Sequence, residues 1–214
     1  MGSMSPDTNR ALPTSMPHPT VLTGERVRLV PLEREHIPDL LSVGQQAPGE
    51  FDLTSTPVTP DETAPYYDEV LANRERGTAY PFTVLLRTTD EVIGLTRFNA
   101  MDFRNRGTEI GYTWYRSDQF GTATNTECKL LMLTFAFEEL GLYRVSLRTD
   151  VLNVRSRKAI EALGAEFEGI MRRHMLARGG RVRDTALYAI TDQDWPEVKR
   201  RNEERLRRKL AAAG

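Results

Sequence analysis

Apolar residues recur along this chain at two spacings, and the changeovers mark its elements. Arg26–Leu32 (RVRLVPL) alternates as a strand does, and Glu33–Val43 follows with Ile37, Leu40 and Leu41 on one helical side. Thr59-Pro60-Asp61-Glu62 has the form of a capping box with proline at the first helical position, which predicts a helix over residues 60–76 stopped by Gly77. Strand-like runs at 81–87, 91–99 and 108–115 then succeed one another across turn-rich joints, as in an antiparallel meander. A second box, Thr124 with Glu127, opens a helix whose stripe is Leu130, Leu131, Leu133, Phe137 and Leu140 and whose stop is Gly141. Residues 143–149 form a strand, 153–163 a helix ended by Gly164, and 167–176 and 182–191 two strands parted by Gly179-Gly180. The order β, α, α, three β, α, β, α, β, β predicts an α+β fold with a mixed, mainly antiparallel sheet of about seven strands. A helical crossover makes the fourth and fifth strands a locally parallel or splayed pair.

The ends differ from this middle. Residues 1–20 hold four prolines and no apolar period, so they read as a disordered tail without the apolar core of a signal peptide; Pro6 stands where a myristoylation motif needs Ser or Thr. Residues 198–214 read as a charged terminal helix and tail, a solvated helix or alternatively a binding arm, leaving one domain over 21–197. Twenty-nine basic against 30 acidic residues give a net charge of −1, so no global field favours nucleic acid or an anionic membrane. No apolar run approaches the roughly 18 residues that span a bilayer. Cys128 is the single cysteine and His18, His36 and His174 are the only histidines, which leaves neither a disulfide framework nor a metal-ligand spacing and fits a reducing cytoplasm.

Chemistry concentrates between Glu109 and Gly141. The small polar loop Arg116–Asn125 delivers into a helix N-terminus, whose free amides and dipole suit an anion such as a pyrophosphate, although many loops enter helices this way. Cys128 lies among apolar residues with no histidine near it in sequence and reads as a packed thiol. His36 and His174 read as ordinary surface or packing residues. Arg172, Arg173, Arg178, Arg181 and Arg183 crowd two adjacent strands, either as a solvated hairpin or as a receiver for an acidic substrate or partner.

From about Thr23 to Lys199 the sequence resembles the GNAT superfamily of acetyl-CoA-dependent N-acetyltransferases, in particular its RimJ/RimL-type group. The resemblance is carried by Thr108-Glu109-Ile110-Gly111-Tyr112, Asn125-Thr126-Glu127-Cys128-Lys129-Leu130-Leu131, Ala136-Phe137-Glu138, Arg144-Val145, Asn153-Val154-Arg155-Ser156, Leu163-Gly164-Ala165, Glu168-Gly169, Arg172, Gly180-Arg181 and Arg183-Asp184. It implies a sheet with helices on both faces and acetyl-CoA as co-substrate, without a metal. It implies an amine acceptor, either a protein N-terminus or a small molecule, and neither membrane nor specific nucleic acid as partner; homodimers are common in such relatives. It assigns the coenzyme A pyrophosphate to Gln119, Phe120, Gly121, Thr122, Ala123, Thr124 and Asn125. The family pattern there is Arg or Gln, two residues, Gly, one residue, Gly or Ala; aligned on Thr126-Glu127, its glycine positions hold Ala123 and Asn125 and its first position Phe120. Trp114 and Tyr115 correspond to the strand whose amide polarises the acetyl carbonyl, and Asn153 and Ser156 to contacts near the pantetheine and sulfur. Ile160 stands where many relatives have tyrosine, which leaves Ser156 as the hydroxyl for the leaving thiolate.

Glu109 is the candidate general base, since an amine of pKa near 8 to 10 must lose a proton before attacking a thioester; a solvent-facing strand-end carboxylate is the alternative. The leading expectation is direct transfer in a ternary complex. A CoA-binding sensor or scaffold of the same fold is the second reading, favoured by the altered loop and absent tyrosine, and a nucleic-acid-associated protein is the third. Acceptor specificity is expected from residues 44–58 and from the hairpin at 178–180.

Overall fold

The structure, a computed structural model, describes residues 12–212. Its elements are β1 (Leu22–Thr23), β2 (Val27–Pro31), α1 (Ile37–Gln46), α2 (Pro60–Glu75), β3 (Ala79–Leu86), β4 (Val92–Asp102) and β5 (Gly107–Tyr115). There follow α3 (Thr124–Thr134, extended by a π turn over Phe135–Glu139), β6 (Arg144–Asp150), α4 (Val154–Leu163), β7 (Glu166–Leu176), β8 (Val182–Thr191) and α5 (Trp195–Ala211). The strands form one sheet in the order β1-β2-β3-β4-β5-β6-β8-β7. The two-residue β1 raises the strand number to eight, because it is too short to leave an alternating signal.

Local chemistry explains the helix bounds. Thr59 Oγ1 accepts from the Glu62 amide at 3.4 Å, Pro60 fills the first helical position, and Gly77 follows the helix at φ 70°. Asn153 Oδ1 accepts from the Ser156 amide at 3.0 Å to open α4, and Gly164 closes it at φ 99°. The box expected at Thr124 and Glu127 does not form. The N-cap of α3 is Ala123, with no side-chain cap, and Glu127 is turned away into the protein. Its carboxylate accepts from the amides of Glu25 (2.6 Å), Arg26 (3.0 Å) and Val27 (2.9 Å), fastening the β1–β2 turn to α3. Three long-range backbone donors outcompete one local cap.

Side-chain alternation divides the core in two. Phe98, Ile110, Val145, Leu147, Ala186 and Tyr188 pack with Met132, Leu133 and Leu163 of α3 and α4, and Trp195 and Val198 of α5 join them. The opposite face buries Leu95 and Trp114 with Leu40, Val43, Tyr67 and Val70 of α1 and α2. The terminal helix is therefore docked rather than solvated: Asn202 Nδ2 donates to Leu163 O at 2.7 Å, and Lys209 Nζ donates to the carbonyls of Gly121 (2.8 Å) and Thr122 (2.6 Å). The tail expectation is also corrected over residues 12–20, while 1–11 lie outside the described residues. Thr20 is buried and its amide donates to Tyr80 Oη at 3.0 Å, His18 meets the same hydroxyl at 2.8 Å, and Pro13 O accepts from Arg106 Nη1 at 2.8 Å. The prolines that deny this stretch a periodic signal do not prevent it from packing.

The meander pairs antiparallel throughout, but β5 and β6 run parallel and touch only over Gly107–Glu109 against Arg144–Ser146. Beyond that, β5 stays on β4 and β6 stays on β8 to Asp150, so a wedge opens between them.

Glu127→Ala leaves three backbone amides, that of buried Val27 and the part-buried ones of Glu25 and Arg26, without this acceptor. We expect it to lower the unfolding free energy by about 3–5 kcal/mol in urea denaturation, with a smaller loss for Glu127→Gln.

Candidate active site

The wedge opens into a cavity of about 670 Å³ that passes through the sheet. Its walls come from β5 (Glu109–Tyr115), β6 (Leu147–Thr149), the loop before α3 (Gln119–Gly121, Asn125), Lys129 of α3, and the start of α4 (Asn153, Arg155, Ser156). The segment at 53–57 and the end of β7 with Ala177 and Arg178 complete them. Arg178 ties the last two walls together, donating to Glu62 Oε1 at 2.7 Å and to Thr56 O at 2.5 Å. Both segments expected to flank the acceptor thus meet at one mouth.

A bulge shapes the β5 wall. Leu95 opposes Trp114 and Arg97 opposes Gly111, so Tyr112 and Thr113 together face Thr96, and Tyr112 takes φ 50° beneath the Arg97 guanidinium, 3.3 Å from its ring centroid. Trp114 and Tyr115 line the cavity and bury their side chains in opposite cores, Trp114 edge-on to Phe51 at 5.8 Å and Tyr115 beside Cys128. Burial raises the Cys128 thiol to about 12, which makes it an inert core group.

The loop before α3 is braced by its own side chains. Gln119 Oε1 accepts from Thr124 Oγ1 (2.9 Å) and Arg26 Nη2 (3.2 Å), and Thr122 Oγ1 donates to Gln119 O (2.9 Å). Thr122, Ala123 and Thr124 do not reach the cavity wall, whereas Gln119, Phe120, Gly121 and Asn125 do. Gly121 has φ 77° two residues before the Ala123 N-cap. The Gly, one residue, Gly-or-Ala part of the pattern also fits Gly121-Thr122-Ala123, two residues earlier than the alignment on Thr126-Glu127, although Asp118 then stands where the pattern has Arg or Gln. Lys209 holds the carbonyls of Gly121 and Thr122, while the amides of Asn125 and Thr126 donate to no acceptor among the described residues. A helix N-terminus with free amides is suited to a phosphate group.

Glu109 is buried and faces the cavity, not solvent. Its Oε2 lies 2.5 Å from Arg148 Nη2, an ion pair spanning the wedge from β5 to β6. Its Oε1 lies over Gly111, where an added Cβ would come within 2.7 Å of it. Ser156 and Asn153 line the opposite wall with Ile160, and Asn153 also caps α4, as its capping reading expected. Arg155 leaves the same turn, stacks on Phe120 at 4.1 Å and pairs with Glu50 at 2.5 Å.

The sequence reading missed Lys129. It stands three and four residues before Met132 and Leu133 on the buried side of α3, a placement that was legible. Its Nζ donates to Thr113 Oγ1 at 2.5 Å and reaches Thr96 Oγ1 at 3.5 Å, and burial pushes the ammonium down to about 8.

Residues 26–166 match the family model described as the acetyltransferase (GNAT) domain, about two thirds of the chain. The chain belongs to the GNAT acetyltransferase family. Among curated GNAT relatives, the protein described as "Uncharacterized N-acetyltransferase p20" of Bacillus licheniformis is 29% identical over 119 residues, 56% of this chain and 66% of that protein. The "Putative ribosomal N-acetyltransferase YdaF" of Bacillus subtilis is 28% identical over 181 residues, 80% of this chain and 92% of that one. The crystal structure of a GCN5-related N-acetyltransferase from Brucella melitensis superposes with a TM-score of 0.81 at 28% identity, covering 92% of this chain and 89% of that one. The expected GNAT fold and the likeness to ribosomal-type members agree with these matches.

Because Lys129 binds fewer protons folded than unfolded between about pH 8 and 10.5, stability should rise with pH across that window. Lys129→Met, which leaves Thr96 and Thr113 hydrogen-bonded to each other at 2.7 Å, should be more stable than the parent at pH 7 by roughly 3 kcal/mol. Unfolding curves at several pH values should show that difference vanish as pH passes about 10.

Proposed function

We propose that the protein is an acetyl-CoA-dependent N-acetyltransferase that moves the acetyl group to a primary amine by direct attack in a ternary complex. The observation that carries this reading is the continuity of the cavity: it joins a braced loop with free helix-start amides on the α3 face to a buried carboxylate, Glu109, on the α1/α2 face.

The residues fit such a co-substrate. Amides around Gly121–Thr126 suit the pyrophosphate, the open wedge admits an extended pantetheine, and acetyl-CoA supplies the thioester. Backbone at the bulge, from Thr113 to Tyr115, polarises the acetyl oxygen. An amine entering between residues 53–57 and the end of β7 gives its proton to Glu109 Oε1, the oxygen not engaged by Arg148, and attacks the carbonyl carbon. The carbon–sulfur bond breaks, and Ser156 is the hydroxyl placed to donate to the departing thiolate in place of the tyrosine that Ile160 replaces. Most of the acceleration comes from holding both reactants in one enclosed slot. The sensor reading draws on the altered phosphate pattern, which has Asp118 for Arg or Gln even when set on Gly121 and Ala123, and on Ile160 in the tyrosine position, whereas Glu109, Asn153 and Ser156 on the cavity wall favour the transferase.

Calorimetric titration of the full chain with acetyl-CoA should give micromolar affinity, and CoA release should follow when N-terminal peptides or small amines are added. An absence of heat at millimolar acetyl-CoA would overturn the reading. Glu109→Gln should lower kcat/KM about a hundredfold at pH 7, with the gap narrowing by pH 9 as the amine deprotonates unaided. Undiminished turnover from pH 6 to 9 would remove Glu109 as the base.

A further inference from the structure

The five arginines that crowd the β7–β8 hairpin in sequence are separated by the fold. Arg172 and Arg173 are exposed. Arg181 pairs with the buried Asp150, and Arg178 is engaged by Glu62 and Thr56. Arg183 is different. It is half-buried on the cavity wall, its Nε donates to Thr185 Oγ1 at 3.0 Å, and it forms no ion pair among the described residues.

Its position names the end of the cavity it serves. Alternation along β8 puts Arg183, Thr185 and Leu187 on the side opposite Ala186 and Tyr188, whose side chains lie in the α3/α4 core. On β6 the same alternation sets Arg148 and Asp150 opposite Val145 and Leu147. Arg183 therefore shares the α1/α2 face with Glu109 and Arg148 and lies across the sheet from the free amides of α3. A phosphate of the co-substrate would use those amides, so Arg183 belongs to the acceptor's side.

The charges at that end do not balance. Glu109 is engaged by Arg148, whose Nε is itself buried without an acceptor. Arg183 adds a second guanidinium within electrostatic reach of Glu109, and Asp150 is already taken by Arg181. Burial lowers the pKa of Arg183 against the pull of Asp150 and Glu109, carboxylates already paired with Arg181 and Arg148, yet a guanidinium stays charged in a protein, so the site holds a partly dehydrated cation with no direct ion pair of its own among the described residues. The planar fork of arginine matches a carboxylate, which would supply what is missing.

We propose that Arg183 is a specificity residue that receives a carboxylate of the acceptor, so that among peptide N-termini those with Asp or Glu within the first two residues are preferred. This rests on the transferase reading for the amine, but binding of the carboxylate is measurable without turnover. Two hexapeptides, one beginning Ser-Glu and its counterpart beginning Ser-Gln, both amidated at the C-terminus, would be titrated into the full chain at about 0.1 M salt. The acidic peptide should bind about tenfold more tightly. In Arg183→Gln that ratio should fall to near one, while acetyl-CoA affinity stays at the parent value and reports an intact fold. Arg183→Lys should retain part of the preference. Equal affinities, no binding of either peptide at millimolar concentration, or a preference that survives in Arg183→Gln would each overturn the proposal. A failure of the transferase reading would appear separately, as absent acetyl-CoA binding or absent CoA release.

Discussion

Three residue pairs join β5 to β6, and after them the strands part while each remains fastened to its outer neighbour. A gap of this kind inside a sheet exposes backbone polar groups on both edges, a cost that a sheet ordinarily avoids by closing. Here the edges are kept apart by side chains. Glu109 reaches across to Arg148, its second oxygen lies over Gly111, and the Tyr112–Thr113 bulge bends β5 further from its neighbour. Every residue of the candidate site hangs on that separation, because the cavity is the space the missing pairs would have filled.

Polar fastenings near the wedge tie the segments around the cavity to one another. Glu127 pins the β1–β2 turn to α3, and Arg26 continues from that turn to Gln119 and Thr124, so the first strands brace the loop that opens α3. Arg178 joins residues 56 and 62 to the β7–β8 hairpin on the other side. The mouth is thus lined by segments far apart in sequence and held by charge-assisted bonds, which fix geometry more tightly than apolar contact alone.

The order and kind of elements were legible because β-rich apolar runs mark β3–β5 and β8, and capping residues and glycine stops mark the helices. What was missed follows from short or nonlocal causes. β1 is two residues long, the π turn after Thr134 leaves no spacing signal, and the Thr124–Glu127 box failed because three amides a hundred residues away claimed the same carboxylate. Within the site, Glu109, Ser156, Asn153 and the β5 end line one cavity. Lys129 was hidden in a helical stripe, and the arginine cluster could be resolved only once sheet alternation showed which members face the cavity. Spacing records the face a residue takes on its own element, but pairing across a crossover depends on the register of the whole sheet.

Lys209 lies two residues from the end of α5, yet its ammonium closes on the carbonyls of Gly121 and Thr122, 88 and 87 positions earlier. The chain's last turn is therefore a buttress for the loop that leads into α3, and the two share one free energy of ordering. By reciprocity, whatever ligand stiffens that loop must also tighten the docking of the terminal helix, and fraying of the helix must loosen the loop. A region that reads as a solvated appendage is in this way a structural support of one cavity wall.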